Sequence, residues 1–266
     1  HYDHRFGTYK GQTESQRNQG KLPELTEGQH QDPYMLSLPQ NWITSELIDE
    51  FIGRKTKKQW LFVYRDITSS VVLRTAISTI IPRTATVDPC RVIYFNDNTP
   101  IKNVIVFLGC FNSIIFDYFS RQKVSGNHLA IFVLKQLPIV SPRRYNIIHI
   151  SFIVPRVLEL TYTAWDIKAY ADDVWRDSDD SMKTLLRQQW EENKAATGGH
   201  TWAPPEWAEI EPDGIPLPPF KWDEDRRAVL RAELDALYAR LYGLTRDELR
   251  YILDPSDVYG PDFPGE

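Results

Sequence analysis

Between Arg121 and Asn127 the sequence sets Arg121, Gln122, Lys123, Ser125 and Asn127 around one glycine, Gly126. Guanidinium and ammonium groups can hold phosphates, while short hydroxyl and amide side chains can approach base edges. Gly126, without a Cβ, would let the backbone come close to a duplex. The same two cations also suit a helix C-terminus, where the dipole and the free carbonyls favour positive charge without any ligand.

Further cations have the same double reading. The run RKTKK carries Arg54, Lys55, Lys57 and Lys58, dense enough for phosphate contact that adds affinity but no sequence information. It equally suits a solvated helix end. Arg74 in a strand, Arg83, and the loop cations Arg143 and Arg144 just past Pro142 are further candidates for phosphate or for internal ion pairs. Arg65 beside Asp66 reads as an internal pair. Arg226, Arg227 and Arg231 alternate with Asp223–Asp225 and Glu233, as on a salt-bridged exposed helix face.

Other chemistry is missing. There is neither G-x-G-x-x-G nor G-x-x-x-x-G-K-[ST], the Gly-rich loops that cradle nucleotide phosphates. The histidines stand at 1, 4, 30, 128, 149 and 200, and only His1 and His4 approach metal-ligand spacing. Asp166 and Lys168 form an isolated D-x-K without an upstream acidic partner. LPPF (Leu217–Phe220) places a leucine where amino-methyltransfer needs a side chain that accepts a hydrogen bond from the target amine. The chain reads as non-catalytic on its own, with no cofactor and no metal.

These groups must be positioned by a chain of 266 residues, 42% hydrophobic and 25% charged, ordinary values for one large or two modest domains. No apolar run approaches the roughly 18 residues of a membrane span, and no signal-peptide pattern opens the sequence. Cys90 and Cys110 sit in apolar surroundings and give no disulfide framework, so a cytoplasmic chain with two inert thiols is expected. The sequence starts at His1, and both ends read as cut from something longer. The net charge of −5 divides unevenly: residues 1–150 hold 18 Lys and Arg against 12 Asp and Glu, a net +6, leaving −11 for the rest. A polyanion would meet the first part.

Residues 1–40 read as an extended arm laid across something else. SELIDEFIG suits a short helix capped by Ser45, and WLFVYRDI, LRTAISTIIP and RVIYF read as strands. Thr99-Pro100 opens a helix whose apolar spacing runs from Val104 to Tyr118, and HLAIFVL (128–134) reads as a central strand. This predicts a mixed α/β fold: a twisted sheet with helices over 1–145, then a mainly helical region over 146–266. Within the second part, a helix over 147–160 is interrupted near Pro155, and 179–197 is amphipathic. A Pro-rich loop, 201–220, is pinned by its tryptophans. Asp223 caps a strong helix closed by Gly243, and TRDE at Thr245 is a capping box for a last one.

DHRFGTYKGQTE (3–14), LPELT (22–26), WLFVYRDITSS (60–70), RTAISTIIP (74–82) and FNSIIFDYFSRQKVSGNHLAIFVLKQLPI (111–139) occur in one order. RVLELTYTAWDI (156–167), FKWDEDRRAVLRAELDALYARLYGLTRDELRYILDP (220–255) and the terminal VYGPDFPGE continue it. Together they resemble the C-terminal part of large adenine-specific (N6) DNA methylases of the type IIG restriction–modification kind, including those of phage-defence islands. The resemblance implies that residues 1–145 form a target-recognition domain and that 146–266 form its helical appendix. It also implies that the S-adenosylmethionine domain, with its Asn-Pro-Pro-aromatic motif, lies upstream. The implied partners are double-stranded DNA, that upstream domain and other defence-system subunits, with no membrane. The implied DNA-facing residues are Arg54, Lys55, Lys57, Lys58, Arg74, Arg121, Gln122, Lys123, Ser125, Asn127, Arg143 and Arg144. The alternative is an interaction scaffold of a defence complex with no direct DNA readout.

Overall fold

In the computed structural model, which describes residues 1–39, 41–199 and 203–254, the N-terminal arm holds two one-turn helices. These are α1 (Glu14–Asn18) and α2 (Glu27–Gln31), each opened by a Thr–Gln capping box. The arm lies against the chain's helical part: Tyr2 and Arg5 are buried, and Trp165 donates its backbone N–H to the Pro33 carbonyl. Helix α3 (Ser45–Ile52) follows, with Thr44 rather than Ser45 at the cap and only Ile52 buried.

WLFVYR forms β1 (Trp60–Arg65), whose first five side chains are all buried, so both faces of the strand are covered. It is the centre of a three-stranded antiparallel sheet, between β2 (Ser78–Pro82) and β3 (Cys90–Ile93), with Phe62 opposite both Ile80 and Ile93. Trp60, Phe62 and Tyr64 face the main core, and Leu61 and Val63 pack with Ile52 of α3 on the other side. This is a mixed α/β fold.

The expected long helix after Pro100 is two helices, α4 (Ile101–Phe111) and α5 (Ile114–Lys123), bent by 62°. Pro100 is the cap rather than the first helical residue. The break falls at Asn112-Ser113, where the Ser113 hydroxyl accepts the Phe116 N–H and restarts the helix. Neither helix alone is long and apolar enough to cross a membrane, nor is any other single helix among the described residues.

The expected central strand HLAIFVL is not one. His128 forms a single bridge to Ile67, and the chain then winds into α6 (Ile131–Leu134). Both edges of β1 are already occupied, and the buried residues Leu129, Val133, Leu137 and Val140 recur at helical intervals. A continuous apolar run concealed that period.

The remaining helices are α7 (Ile147–Thr161), α8 (Lys168–Arg176), α9 (Asp180–Ala196), α10 (Glu224–Tyr242) and α11 (Arg246–Leu253). Helix α7 continues past Pro155 instead of being interrupted there. The Asp223 cap, the left-handed Gly243 and the Thr245–Glu248 capping box stand where the sequence placed them. In the Pro-rich loop Trp207 is half exposed. The anchors are Ile215 and Phe220, while Trp202 lies outside the described residues, as does the tail after Asp254. Arg227 departs from the exposed face expected of it: it is buried against the Trp222 ring at 3.7 Å. Side chains of α7 and α10 share one apolar cluster with Phe62 and Phe111, so the core is continuous across position 145.

Candidate nucleic-acid interface

Where β1 ends, the backbone of Asp66 turns from the sheet to a new partner. Leu129 donates its N–H to the Asp66 carbonyl at 2.8 Å, and Thr68 donates to the Asn127 carbonyl at 3.1 Å. These two bonds, with Leu129 buried beneath them, fix residues 127–129 at the C-terminal end of the central strand. Lys123, Ser125, Asn127 and His128 thereby line a cleft of about 550 Å³, which Phe132 of α6 and Gln136 just after it also line.

Asp66 organises the cleft. Its carboxylate is buried, and Oδ2 accepts from Arg91 Nε at 3.1 Å and Nη2 at 3.0 Å. His128 Nδ1 stands 3.4 Å from the same oxygen. Arg91 also reaches Asp88 at 2.9 Å, and its hydrogen bond to Asp66 pushes its pKa up. Asp66 Oδ1 is buried without a hydrogen-bond partner among the described residues. A buried carboxylate thus holds one guanidinium and one imidazole at the cleft wall, their outer sides open to solvent. With the Arg91 fork engaged by Asp66 and Asp88, the arrangement offers its outer N–H groups, an ammonium, two amides, a hydroxyl and an exposed aromatic face. It suits an anion bearing flat, hydrogen-bonding rings.

Of the sequence-predicted residues, Lys123, Ser125 and Asn127 come together here; Gln122 is exposed on the last turn of α5, outside the cleft lining. Arg121 and Arg74 turn inward. Both approach the buried carboxylate of Asp117, at 3.4 and 3.7 Å, and both donate to backbone carbonyls, of Leu73 and Asn112 respectively. The RKTKK run stands at the opposite end of β1. Six residues at about 3.3 Å each put it about 20 Å from the cleft. There Lys58 pairs with Asp173 at 2.9 Å and Arg54 with Glu50 at 3.4 Å, while Lys55 and Lys57 are exposed. Arg83 pairs with Asp49, and Arg65 bonds to Thr68 and the Arg74 carbonyl rather than to Asp66. Arg143 and Arg144 are exposed on the turn Pro142–Arg144, also outside the cleft lining.

Sequence reasoning missed Arg91, His128, Phe132 and Gln136. Only His128 carried a local signal, as the neighbour of Asn127. Arg91 reaches the site through strand pairing, which sets it opposite Tyr64, and no local pattern announces that register. Comparison with known proteins finds no matching family model, no matching curated protein and no matching solved structure.

Proposed function

We propose that this chain is the DNA-recognition part of an adenine-N6 DNA methyltransferase from a restriction–modification or phage-defence system. It would position duplex DNA for methyl transfer from S-adenosylmethionine, carried out by an upstream catalytic domain that takes the target adenine out of the stack. The observation that carries this reading is the convergence of Lys123, Ser125 and Asn127 with Arg91 and His128 on one cleft. The ordered run of segments resembling such methylases supports it. The cations would hold phosphates, and Asn127 and Gln136 would read base edges.

Titrating the chain with duplex DNA at two salt concentrations tests this. Affinity is expected to fall steeply with salt. Asn127→Ala is expected to relax discrimination between sequences by about 1–3 kcal/mol per contacted base pair while leaving the salt dependence unchanged. Absent or salt-insensitive binding would favour a second reading, a scaffold within a defence complex. The exposed side chains of Ile131, Phe132, Ile147 and Ile148 speak for that alternative.

A further inference from the structure

Beside the cleft, the loop between β1 and β2 carries the most exposed large apolar side chains among the described residues, Val71 at 89% and Leu73 at 86%. Exposed aliphatic tips are usually found on slack chain, but this loop is clasped at its base. Arg65 donates to the Thr68 hydroxyl at 3.2 Å and to the Arg74 carbonyl, and the Thr75 hydroxyl donates to the Ser69 carbonyl at 2.9 Å. Arg121 donates to the Leu73 carbonyl itself at 3.1 Å, and the Ala76 N–H reaches Asp117. The Thr68–Asn127 hydrogen bond ties the loop to the cleft rim. Two apolar tips are therefore held out on a braced support.

The charge beneath the loop indicates what it meets. Arg65 has no carboxylate within 4 Å among the described residues, and Arg74 approaches only the buried Asp117, at 3.7 Å. Lys123 stands exposed on the neighbouring helix end. A purely apolar partner would bury Lys123 and leave the positive charge of the already half-buried Arg65 and Arg74 unopposed on its side, whereas a polyanion with a stacked apolar interior satisfies both features.

We propose that Val71 and Leu73 form a wedge that enters a base step of duplex DNA, partly unstacking it, while the adjacent cleft holds the backbone. This rests on the DNA-recognition reading above. Apolar wedges of this kind spend unstacking energy to open or bend a duplex, and less is spent where a step is already weakened.

The test uses the 266-residue chain and its Val71→Ser/Leu73→Ser double variant, which removes no packed side chain. The probes are short duplexes carrying 2-aminopurine at successive positions, with and without a neighbouring mismatch. Wild-type binding is expected to raise 2-aminopurine fluorescence at one step and to favour the mismatched duplex on the order of tenfold. The double variant is expected to bind the matched duplex with the same salt dependence, without the fluorescence rise or the preference. Binding without any fluorescence change, or the same change in the double variant, overturns the wedge and leaves DNA recognition standing. No binding to any duplex overturns both. Binding to phosphatidylcholine vesicles that is lost in the double variant would assign the tips to a lipid surface and also overturn the wedge.

Discussion

His4 Nε2 meets Asp166 Oδ2 at 2.8 Å across 162 residues of chain, with the imidazole almost fully buried and Asp3 3.9 Å from its other nitrogen. Burial pushes the His4 pKa down, but the charge and hydrogen bond of Asp166 together with the charge of Asp3 outweigh it and hold the ring above its usual range. A histidine whose pKa is raised on folding adds stability that is fully present below its unfolded pKa, about 6.5, and is lost as pH rises through the raised value. Urea unfolding across that interval checks this. Wild type is expected to lead His4→Gln at the acidic end, with the gap closing as pH rises; a constant gap would refute the pairing. Next to it, Arg5 is fully buried and donates to the Asp32, His30 and Thr163 carbonyls as well as to Asp3. None of this was legible in the sequence, where residues 1–40 looked polar and aperiodic. A guanidinium satisfied by carbonyls from distant segments leaves no local pattern, so the arm's placement was foreseen and its tether was not.

Between elements, one amide side chain explains why a single apolar stretch becomes two helices. Asn112, 2% exposed, accepts the Ser78 N–H at 2.9 Å and donates to the Ser78 carbonyl at 3.0 Å, docking the break between α4 and α5 onto β2. With the Tyr2–Thr79 bridge, it covers an outer sheet edge that would otherwise be open to pairing. Asn112→Ala is expected to cost about 2 kcal/mol, since it leaves buried backbone groups without their side-chain partner. Denaturant unfolding with an unchanged slope would register this as a shifted midpoint, and an unshifted midpoint would mean that water replaces the amide. Caps and periods were readable here: Asp223, Gly243 and Thr245 mark helix ends by local chemistry. The break at Asn112 and the helix at Ile131–Leu134 were not readable, because each depends on which sheet edge is already taken.

Over the whole molecule, the division of charge into a basic first part and an acidic second part is partly cancelled by folding. At the N-terminal end of β1, Lys57, Lys58 and Arg176 share a hollow with Asp97, Asp173 and Glu211, three cations against three carboxylates. A polyanion arriving there gains little. At the other end, Arg91 is paired with both Asp66 and Asp88, while Lys123 is exposed with no carboxylate within 4 Å among the described residues. In the proposed reading it is this unpaired Lys123, away from a cluster of carboxylates, that favours the sparser end over the denser basic run. If duplex DNA lies at the cleft end alone, each phosphate held there contributes about −0.9 to the slope of log affinity against log salt. Lys123→Ala is then expected to reduce that slope by about 1. The double variant Lys55→Ala/Lys57→Ala, about 20 Å away along β1, is expected to leave it unchanged. Circular dichroism would confirm that both variants keep the fold. A slope that fell with the Lys55 and Lys57 changes and ignored Lys123 would move the interface to the opposite end of the sheet, taking the cleft and its wedge out of contact with DNA.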